Sequence, residues 1–561
     1  MGSIITPPFT KTIARIAVPH RRYTLYPAAQ TWCQRPRASS QRRNVANYGG
    51  PPMPEQVAYQ NEEQAKSSKS GPSSTVFKMF EGAFTTAASL VVLGMAGYGY
   101  HRYYKYLVLK KMENAFAPGD PVLDLAAITH NAHVKHDDDE DEEHWVKRQE
   151  QNRIDAIVNG TERGRYYLII GEKGTGKSSM LLDAMAKVDG EGISMFDAHA
   201  DLEIFRIRLG KALDFEFHED YIGSLFSIRG PRDTTALLDI ERAFNKLEKV
   251  ALRRRKKVGR PLVLIINSTH LLRDDEDGRN LLELIQQRAE QWSASNLITV
   301  IFNSDDYWVY ERLKGLATRL EVLPISDLPK NQAVAALQKY RYRYLKEQTQ
   351  LNILEEVYDQ IGGRVSFLNQ VAKAPDILRE CEEIYSREKT WLYNQCWILG
   401  EEMDDDVMDQ QKYCSAAMVL AKALVDSEDS SETSTYHPVR GHILPEIPLH
   451  EARQIMTRAD FIQSYDHINI FTIDSRAMVR ADSVPMHRAF RELCSTPGFE
   501  EHLQATLDRI SAIESLGRTR EVVAKDLVLG GKYEIRVADE NGRVGRKLVV
   551  ELVPQEEEGK N

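Results

Sequence analysis

Five short apolar runs in the middle of the chain alternate with segments whose apolar residues recur every three or four positions. The runs are rich in β-branched and aromatic residues, as buried strands require. They are Tyr166–Ile170, Ile193–Phe196, Pro261–Ile266, Leu297–Phe302 and Leu320–Leu323. The intervening segments 234–252 and Leu281–Trp292 have the amphipathic pattern of helices. Strands that alternate with helices predict an α/β fold with a parallel sheet covered on both faces.

The pattern changes after the acidic segment 401–406. An alanine-rich helix is predicted first, followed by two short helices in tandem, a small hairpin and a further helix from Pro485. These segments are Tyr413–Val425, Leu449–Met456, Arg458–Tyr465, Ile468–Ile473 and Ala477–Ala481. Helices followed by a β wing predict a winged-helix domain at 410–495.

The last part of the chain, 496–561, has a simpler pattern. Phe499–Lys525 is predicted to be helical, with charges of both signs. Two short β-type runs then flank Asn541-Gly542, a dipeptide that favours the tight turn of a hairpin.

One segment near the amino terminus is apolar enough to span a membrane. Gly82–Tyr100 runs 19 residues without a charge. At about 1.5 Å per residue, such a helix just crosses a hydrocarbon core about 30 Å thick. Basic residues and a cluster of tyrosines follow it, as at a membrane interface. We predict one transmembrane helix at 82–100, with a buried helix of a soluble protein as the alternative.

The leader that precedes this segment is basic. Residues 1–54 contain eight Lys or Arg and no Asp or Glu. Such a composition is typical of a mitochondrial transit peptide, which we place at 1–45, ahead of a disordered linker at 46–81. The prediction is a single-pass protein of a mitochondrial membrane, the inner one. The orientation of the chain in the membrane stays open. A helix that stops transfer during import would leave the carboxyl-terminal part in the intermembrane space. The positive charge after the helix favours instead a carboxyl-terminal part in the matrix.

Composition excludes several other classes of protein. The chain has 561 residues, a net charge of −9 and five Cys, none at CxxC spacing. The absence of CxxC spacing argues against a zinc ribbon, a redox dithiol or a disulfide scaffold. Residues 101–144 are predicted to be a linker, and its acidic run 136–144 a solvated spacer.

The strongest chemical signal directly follows the first predicted strand. Gly171-Glu172-Lys173-Gly174-Thr175-Gly176-Lys177-Ser178 is a G-x-x-x-x-G-K-[ST] loop, followed by Ser179 and a helical pattern. The glycines allow backbone N–H groups to face phosphate oxygens. Lys177 would reach the β- and γ-phosphates, and Ser178 would place its hydroxyl on Mg²⁺. The loop therefore predicts ATP and Mg²⁺ as ligands.

With this loop and its flanking strands, the segment from Trp145 to Ala374 resembles an AAA+ module of the origin-recognition or STAND type. The resemblance implies a P-loop core at 145–327 and a helical lid at 328–400. It also implies that Asn303 is the sensor 1 residue, Arg319 the arginine finger and Arg364 the sensor 2 residue. The carboxyl-terminal part is similar to the winged-helix domain of a group of fungal AAA proteins.

The chain departs from that family at the end of its third strand. The family has Asp-Glu there, for Mg²⁺ and for the attacking water, whereas this chain has Asn267 and Ser268. Neither residue is a general base. His270 follows, but the strand register is expected to point it away from the site. Two hypotheses remain: a switch that hydrolyses ATP slowly or not at all, and an ATPase with a non-standard base.

The sequence leaves the partners of the chain open. Residues 410–500 contain nine Lys or Arg and twelve Asp or Glu, which disfavours DNA, because phosphate neutralisation supplies most of such affinity. We expect this domain to contact protein or to pack within the chain. Any arginine finger would act across a homo-oligomer interface, and a protein client is the other expected partner. A role in nucleic-acid maintenance, based on the family and on the basic run 253–257, is the further alternative.

Overall fold

A computed structural model of the chain describes residues 72–119, 122–123, 148–217, 235–398, 408–430, 435–525, 532–538 and 544–551. The predicted transit peptide at 1–45, most of the predicted linker at 46–81 and the acidic run at 136–144 lie outside them. The chain divides into two units, Thr86–Glu514 and a second one that comprises Met1–Thr85 and Ser515–Asn561.

The apolar segment 82–100 lies within one long helix, α1 (Pro72–Asn114). Among the described residues, α1 is the one helix long and apolar enough to cross a membrane, and its apolar stretch is exposed. Its exposed side chains include Phe84, Leu90 and Val92.

The last turns of α1 differ from the linker predicted at 101–144. Leu109, Met112 and the following Phe116 are buried in the main hydrophobic core. Glu113 forms an ion pair with Lys257 at 2.7 Å. Residues 101–114 therefore continue the helix into the folded unit, because apolar residues three positions apart share one helix face.

A parallel five-stranded sheet forms the centre of the P-loop module, which we define as residues 148–327. Its strands are β1 (Tyr166–Ile170), β2 (Ile193–Asp197), β3 (Leu262–Asn267), β4 (Ile298–Ser304) and β5 (Leu320–Pro324). The strand order is β2-β3-β4-β1-β5, and all the pairings are parallel. The carboxyl ends of the strands therefore meet at one edge, where ligands bind in open α/β sheets.

Helices cover both faces of this sheet, which confirms the predicted fold class. They are α2 (Gln149–Val158), α3 (Lys177–Ala186), α4 (Leu202–Ala212), α5 (Ala236–Val258), α6 (Glu276–Ala294) and α7 (Trp308–Lys314). Along β1, Tyr166 and Leu168 belong to one core cluster, while Tyr167 and Ile169 belong to another. Alternate side chains point to opposite faces, so a strand buried on both sides must be apolar throughout.

The lid, residues 328–398, contains four helices with a hydrophobic cluster of their own. They are α8 (Lys330–Leu345), α9 (Leu351–Ile361), α10 (Val365–Lys373) and α11 (Ile377–Cys396). The lid was predicted at 328–400, and these four helices lie within that range.

The winged-helix domain spans the described residues between 408 and 514. It contains α12 (Met408–Ser430), β6 (Tyr436–His437), β7 (Gly441–His442), β8 (Ile447–Pro448), α13 (Leu449–Met456), α14 (Ile462–His467), β9 (Phe471–Ile473), β10 (Met478–Ala481) and α15 (Val484–Cys494). Strands β8, β10 and β9 form the antiparallel wing. The helix predicted at Arg458–Tyr465 is instead a short turn, Ala459–Phe461, followed by α14.

The carboxyl-terminal elements match the sequence pattern. Helix α16 (Phe499–Lys525) begins and ends where the pattern predicts. Strands β11 (Lys532–Ala538) and β12 (Val544–Glu551) pair antiparallel and form the predicted hairpin.

Candidate functional site

The glycine-rich loop connects β1 to α3 at the carboxyl edge of the sheet. Gly174 and Gly176 have φ values of 84° and 99°, which favour glycine. Gly171 has no room for a side chain, since a Cβ would lie 2.0 Å from the carbonyl oxygen of Ile325. Helix α3 begins at Lys177, so its first N–H groups face the loop. The local structure is that of a phosphate cradle.

The other loop residues predicted to bind nucleotide have different surroundings. Lys173 is exposed, Ser179 is half-buried, and Thr175 is buried. The Thr175 hydroxyl donates to the carbonyl of Glu172 at 2.9 Å, and Arg148 donates to the Thr175 carbonyl at 2.8 Å. The first bond fixes the bend of the loop from inside the loop. The second holds the loop to the start of α2, the helix that precedes β1.

The ammonium of Lys177 is buried and uses all three of its donors. Two go to the carbonyl oxygens of Gly171 and Glu172, each at 2.8 Å. The third goes to the carboxylate of Asp305, also at 2.8 Å. A phosphate that binds Lys177 therefore competes with Asp305. Sequence analysis missed Asp305, although a carboxylate two residues after the predicted sensor Asn303 was the available signal.

Four side chains meet beside Ser178, and we call them the edge cluster: Asp197, Ser178, Asn267 and Asn303. Ser178 donates to Asn267 Oδ1 at 3.0 Å. Asn303 Nδ2 donates to the same oxygen at 2.5 Å and to the Ser178 hydroxyl at 3.1 Å. Asn267 Nδ2 donates to Asp197 at 2.6 Å. The edge cluster thus joins residues from the ends of three strands to the P-loop helix.

The edge cluster offers the oxygen donors that Mg²⁺ prefers. Asn303 is buried, and its Oδ1 has no hydrogen-bond partner among the described residues. The hydroxyl of Ser178 and the Asp197 carboxylate are the other oxygens at this edge. No group of three His, Cys, Asp or Glu that could hold a metal occurs in the described part of the chain. The oxygens of Ser178, Asp197 and Asn303 fit a hydrated hard cation bound together with phosphate.

Asn267 and Ser268, the two residues expected in place of the family's acids, lie at and directly after the carboxyl end of β3. Asn267 belongs to the edge cluster, whereas Ser268 adopts left-handed backbone geometry with φ of 52°. His270 differs from the expectation that it points away. Its Nδ1 accepts the Asp305 N–H at 3.1 Å, and its Nε2 lies 3.7 Å from the Asp305 carboxylate. A short 3₁₀ turn after β3 brings His270 back toward the site.

Arg364, the predicted sensor 2 residue, lies beside the loop but has carboxylate partners. It precedes α10, and its aliphatic stem lies near Gly174. The guanidinium is buried and is held by Asp327 and Asp482. Burial alone would lower the pKa of Arg364, but these two carboxylates raise it well above its ordinary value. The arginine is fully charged and already paired.

Asp482 belongs to the winged-helix domain, which also contributes Arg480 to the P-loop. Arg480 lies on β10 and forms a buried ion pair with Glu172 of the loop. Burial raises the pKa of Asp482 although Arg364 opposes this. We call Glu172, Arg364, Asp327, Arg480 and Asp482 the wing network. None of its members except Glu172 and Arg364 was a site candidate in the sequence, because the partners are distant along the chain.

A second connection follows β4. Asp306 accepts from His467 at 2.7 Å, and the Tyr307 N–H donates to Asp466 at 2.8 Å. The hydrogen bond to Asp306 raises the pKa of His467. Burial raises the pKa of Asp466, and the charge of Asp306 raises it further. The segment that holds Lys177 through Asp305 thus continues directly into contacts with α14 of the winged-helix domain.

Arg319, the predicted arginine finger, lies at the opposite edge of the sheet. It immediately precedes β5, whose first residue pairs with the first residue of β1. Its side chain is exposed and donates to the Gly164 carbonyl at 3.4 Å. Arg319 does not contact the loop of its own chain, so its role in a neighbouring subunit stays a prediction.

A cavity of about 770 Å³ opens beside the loop. Its walls come from the P-loop, the lid and the winged-helix domain, and include Lys173, Phe367, Arg387, Trp391 and Asn469. Besides the basic side chains Lys173 and Arg387, the acidic side chains Glu388 and Asp482 line this cavity, so charges of both signs lie next to the phosphate cradle.

Two family models match the chain. Residues 144–301 match the AAA ATPase domain, and residues 394–514 match the C-terminal winged helix domain of fungal AAA proteins. No curated protein matches the chain.

Several solved structures are similar at low sequence identity. A Walker-type ATPase of Pyrococcus abyssi is 13% identical, over 62% of this chain and 97% of that one, with a TM-score of 0.41. The ORC2 protein of Aeropyrum pernix, solved in ADPNP-ADP complexes, is 10% identical over 66% and 98%, with a TM-score of 0.35. The ORC1 protein of the same organism, solved with DNA, is 13% identical over 61% and 91%, with a TM-score of 0.31.

Proposed function

Because this chain is an AAA+ P-loop protein with a carboxyl-terminal winged-helix domain of the fungal AAA type, we propose that it is a nucleotide-dependent switch. It binds ATP with Mg²⁺ and hydrolyses ATP weakly or not at all. The backbone of Gly171–Gly176, the Lys177 ammonium and the Ser178 hydroxyl hold the triphosphate. Bound Mg²⁺ neutralises part of the phosphate charge. A protein client or a second copy of the chain reads the nucleotide state.

One observation carries this proposal: a complete phosphate cradle lies beside a third strand that ends without an acid. The buried Lys177 and the glycine geometry are what phosphate binding needs. Asn267 and Ser268 occupy the positions from which the family activates water, and both are neutral. Hydrolysis uses a residue that orients or activates water in addition to the charge clamp. Binding is thus retained while the hydrolytic step lacks its usual group.

The contacts of the winged-helix domain support a switch. Arg480 contacts the loop itself through Glu172, and Asp482 holds the lid residue Arg364. On the other side, Asp305 binds Lys177 while the adjacent Asp306 binds His467 of the winged-helix domain. A phosphate that displaces Asp305 from Lys177 moves the segment that contacts α14. The nucleotide state is then coupled to the position of the winged-helix domain.

Asp305 also favours a second candidate function, an ATPase with a non-standard base. Its carboxylate lies 2.8 Å from the ammonium that would bind the γ-phosphate, and His270 lies on its other side. A carboxylate released from Lys177 by phosphate is a group able to accept a proton from water. In this second function Asp305 is the general base for the attacking water, a role for which the Ser268 hydroxyl is unsuited.

Calorimetry and phosphate release separate the two functions. We expect the purified full-length protein in detergent to bind ATP with micromolar affinity, about −8 kcal/mol. Turnover is expected at no more than about 10⁻³ s⁻¹, the range of P-loop proteins that lack complete catalytic machinery. Turnover near 1 s⁻¹ that disappears in both Lys177→Ala and Asp305→Asn would contradict the switch and establish the ATPase. Absence of ATP binding would contradict both.

We further propose that α1 anchors the protein in a mitochondrial membrane, the inner one. Support comes from the exposed apolar stretch of α1 and from the basic, acid-free leader. The last turns of α1 are buried in the main core, so one continuous helix joins the apolar stretch to the folded unit.

Alkaline carbonate extraction of mitochondria tests the anchor. The wild-type protein is expected in the membrane pellet, and the Val92→Arg/Leu93→Arg variant in the supernatant. Each Arg costs about 2.5–3.5 kcal/mol at the centre of a spanning helix. The control is Ile207→Arg, which replaces an exposed apolar residue outside α1 and is expected to stay in the pellet. Equal extraction of the wild-type and double-arginine proteins would contradict the anchor.

The contacts of the winged-helix domain favour packing within the chain over nucleic acid. Arg458, which begins the second of the two predicted tandem helices, pairs with Glu514, and Arg453 pairs with Glu311 of α7. Helix α14 contacts the P-loop module through Asp466 and His467. A helix used in this way is not presented to a DNA groove. Nucleic-acid maintenance therefore stays the less favoured alternative.

A further inference from the structure

We propose that Asp197 replaces the acid that β3 lacks. It is a positioning residue for Mg²⁺: it orients the Asn267 amide toward Ser178 and places one negative charge beside the metal. The inference rests on the proposed function, because it assumes that nucleotide binds with Mg²⁺. In the family pattern the acid lies at the end of the third strand, whereas in this chain it lies at the end of the neighbouring strand β2.

The sheet places the two residues side by side. Strands β2 and β3 are parallel neighbours, and Asp197 and Asn267 are partners in their register. Each is the last residue of its strand, so both side chains lie at the carboxyl edge that the P-loop shares. An acid at 197 therefore reaches the same edge as an acid at 267, one strand farther from the loop.

Hydrogen-bond chemistry shows what Asp197 does to Asn267. An ionised carboxylate only accepts, so the group of Asn267 that lies 2.6 Å from Asp197 must be its Nδ2 donor. The amide oxygen then faces the other way, toward the Ser178 hydroxyl and Asn303 Nδ2. Without Asp197 this orientation keeps the bonds from Ser178 and Asn303 to the amide oxygen but loses the acceptor of Asn267 Nδ2. Asp197 thus adds a third bond that holds the amide oxygen, and not its N–H groups, at that site.

The charge balance of the site points to the same residue. Asp305, the carboxylate next to the loop lysine, is neutralised by Lys177. Asp197 has no cation partner among the ion pairs of the described residues, and its side chain is exposed to solvent at the edge. The orphaned Asn303 Oδ1 lies in the same cluster and offers an acceptor for a metal-bound water. Groups that orient metal ligands in this way contribute about 10- to 100-fold to metal affinity.

The test measures how Mg²⁺ changes the affinity of the full-length protein for a fluorescent ATP analogue, titrated in Mg²⁺ and in EDTA. Mn²⁺ binding to the nucleotide complex, followed by electron paramagnetic resonance, is the second readout. In Asp197→Asn we expect the Mg²⁺-dependent increase in affinity for the ATP analogue to fall about 10- to 100-fold, and the affinity for Mn²⁺ to fall by the same factor. The affinity for the ATP analogue in EDTA is expected to be unchanged. The control is Asp183→Asn, which removes a carboxylate of α3 that pairs with Lys187. This variant should change neither the effect of Mg²⁺ nor the affinity for Mn²⁺.

A charge exchange makes the test independent of folding defects in the single variant. Asn267→Asp alone sets two carboxylates against each other and should not strengthen Mn²⁺ binding. Asp197→Asn/Asn267→Asp restores one acid and one amide in contact and should recover Mn²⁺ binding to within a few-fold of wild type. No ATP binding by the wild-type protein would contradict the proposed function. An ATP affinity that Mg²⁺ raises equally in wild type and in Asp197→Asn would overturn only this inference, whereas an ATP affinity that Mg²⁺ does not raise in wild type would also contradict the Mg²⁺ part of the proposed function.

Discussion

Asp482→Ala is expected to lower the free energy of unfolding by about 3–5 kcal/mol, the cost of leaving one partner of a buried ion pair uncompensated. The side chains of Arg364 and Asp482 are 3% and 6% exposed. The truncation leaves the guanidinium of Arg364 with Asp327, which is more exposed, and opens a gap between the lid and β10. The midpoint of urea unfolding, followed by tryptophan fluorescence, measures the loss.

A matched surface variant shows whether burial causes this effect. Glu446→Ala removes the partner of Arg476, whose side chain is 66% exposed, in the same winged-helix domain. Exposed pairs contribute less than about 1 kcal/mol. Arg364→Met/Asp482→Leu, which leaves no member of the pair unmatched, should regain part of the loss. Equal midpoints for Asp482→Ala and Glu446→Ala would show that the wing network does not hold the domain.

Lys177→Ala is expected to weaken ATP binding by about 2–5 kcal/mol, or roughly 30- to 5,000-fold, as for truncation of a buried charge partner. Two losses combine. The triphosphate loses the ammonium, and Asp305 loses the cation that now neutralises it. An unpaired Asp305 then repels the phosphates at short range. Calorimetric titration with ATP measures the effect.

The second variant of this series isolates the repulsion. Lys177→Ala/Asp305→Asn should bind ATP more tightly than Lys177→Ala, because the unpaired carboxylate has been removed. Asp305→Asn alone should bind ATP at least as tightly as wild type, since phosphate no longer competes with a carboxylate for Lys177. Weaker binding by Asp305→Asn would show that Asp305 supports the nucleotide instead of competing with it.

The corrections to the sequence-based expectations share one cause. His270 was expected to point away from the site because a strand alternates its side chains, but a 3₁₀ turn replaces the strand immediately after Asn267. Residues 101–144 were predicted to be a linker. The apolar residues of one helix face there nevertheless pack into the core. Both outcomes depend on neighbours that a local pattern does not contain.

The sequence by itself determined the features that arise from adjacent residues. These include the apolar runs of the five strands, the loop Gly171–Ser178, the strand pair β11–β12 and the neutral pair Asn267-Ser268. All are visible in short segments, because strand burial and phosphate binding have local requirements.

Only the tertiary structure decided which remote groups complete the site. Asp197 meets Asn267 because β2 and β3 are neighbours in the sheet, although 70 residues separate them. Arg480 reaches Glu172 across 308 residues, and Asp482 reaches Arg364 across 118. Charges on distant segments come together only when the hydrophobic faces of their elements pack, and that packing depends on the whole chain at once.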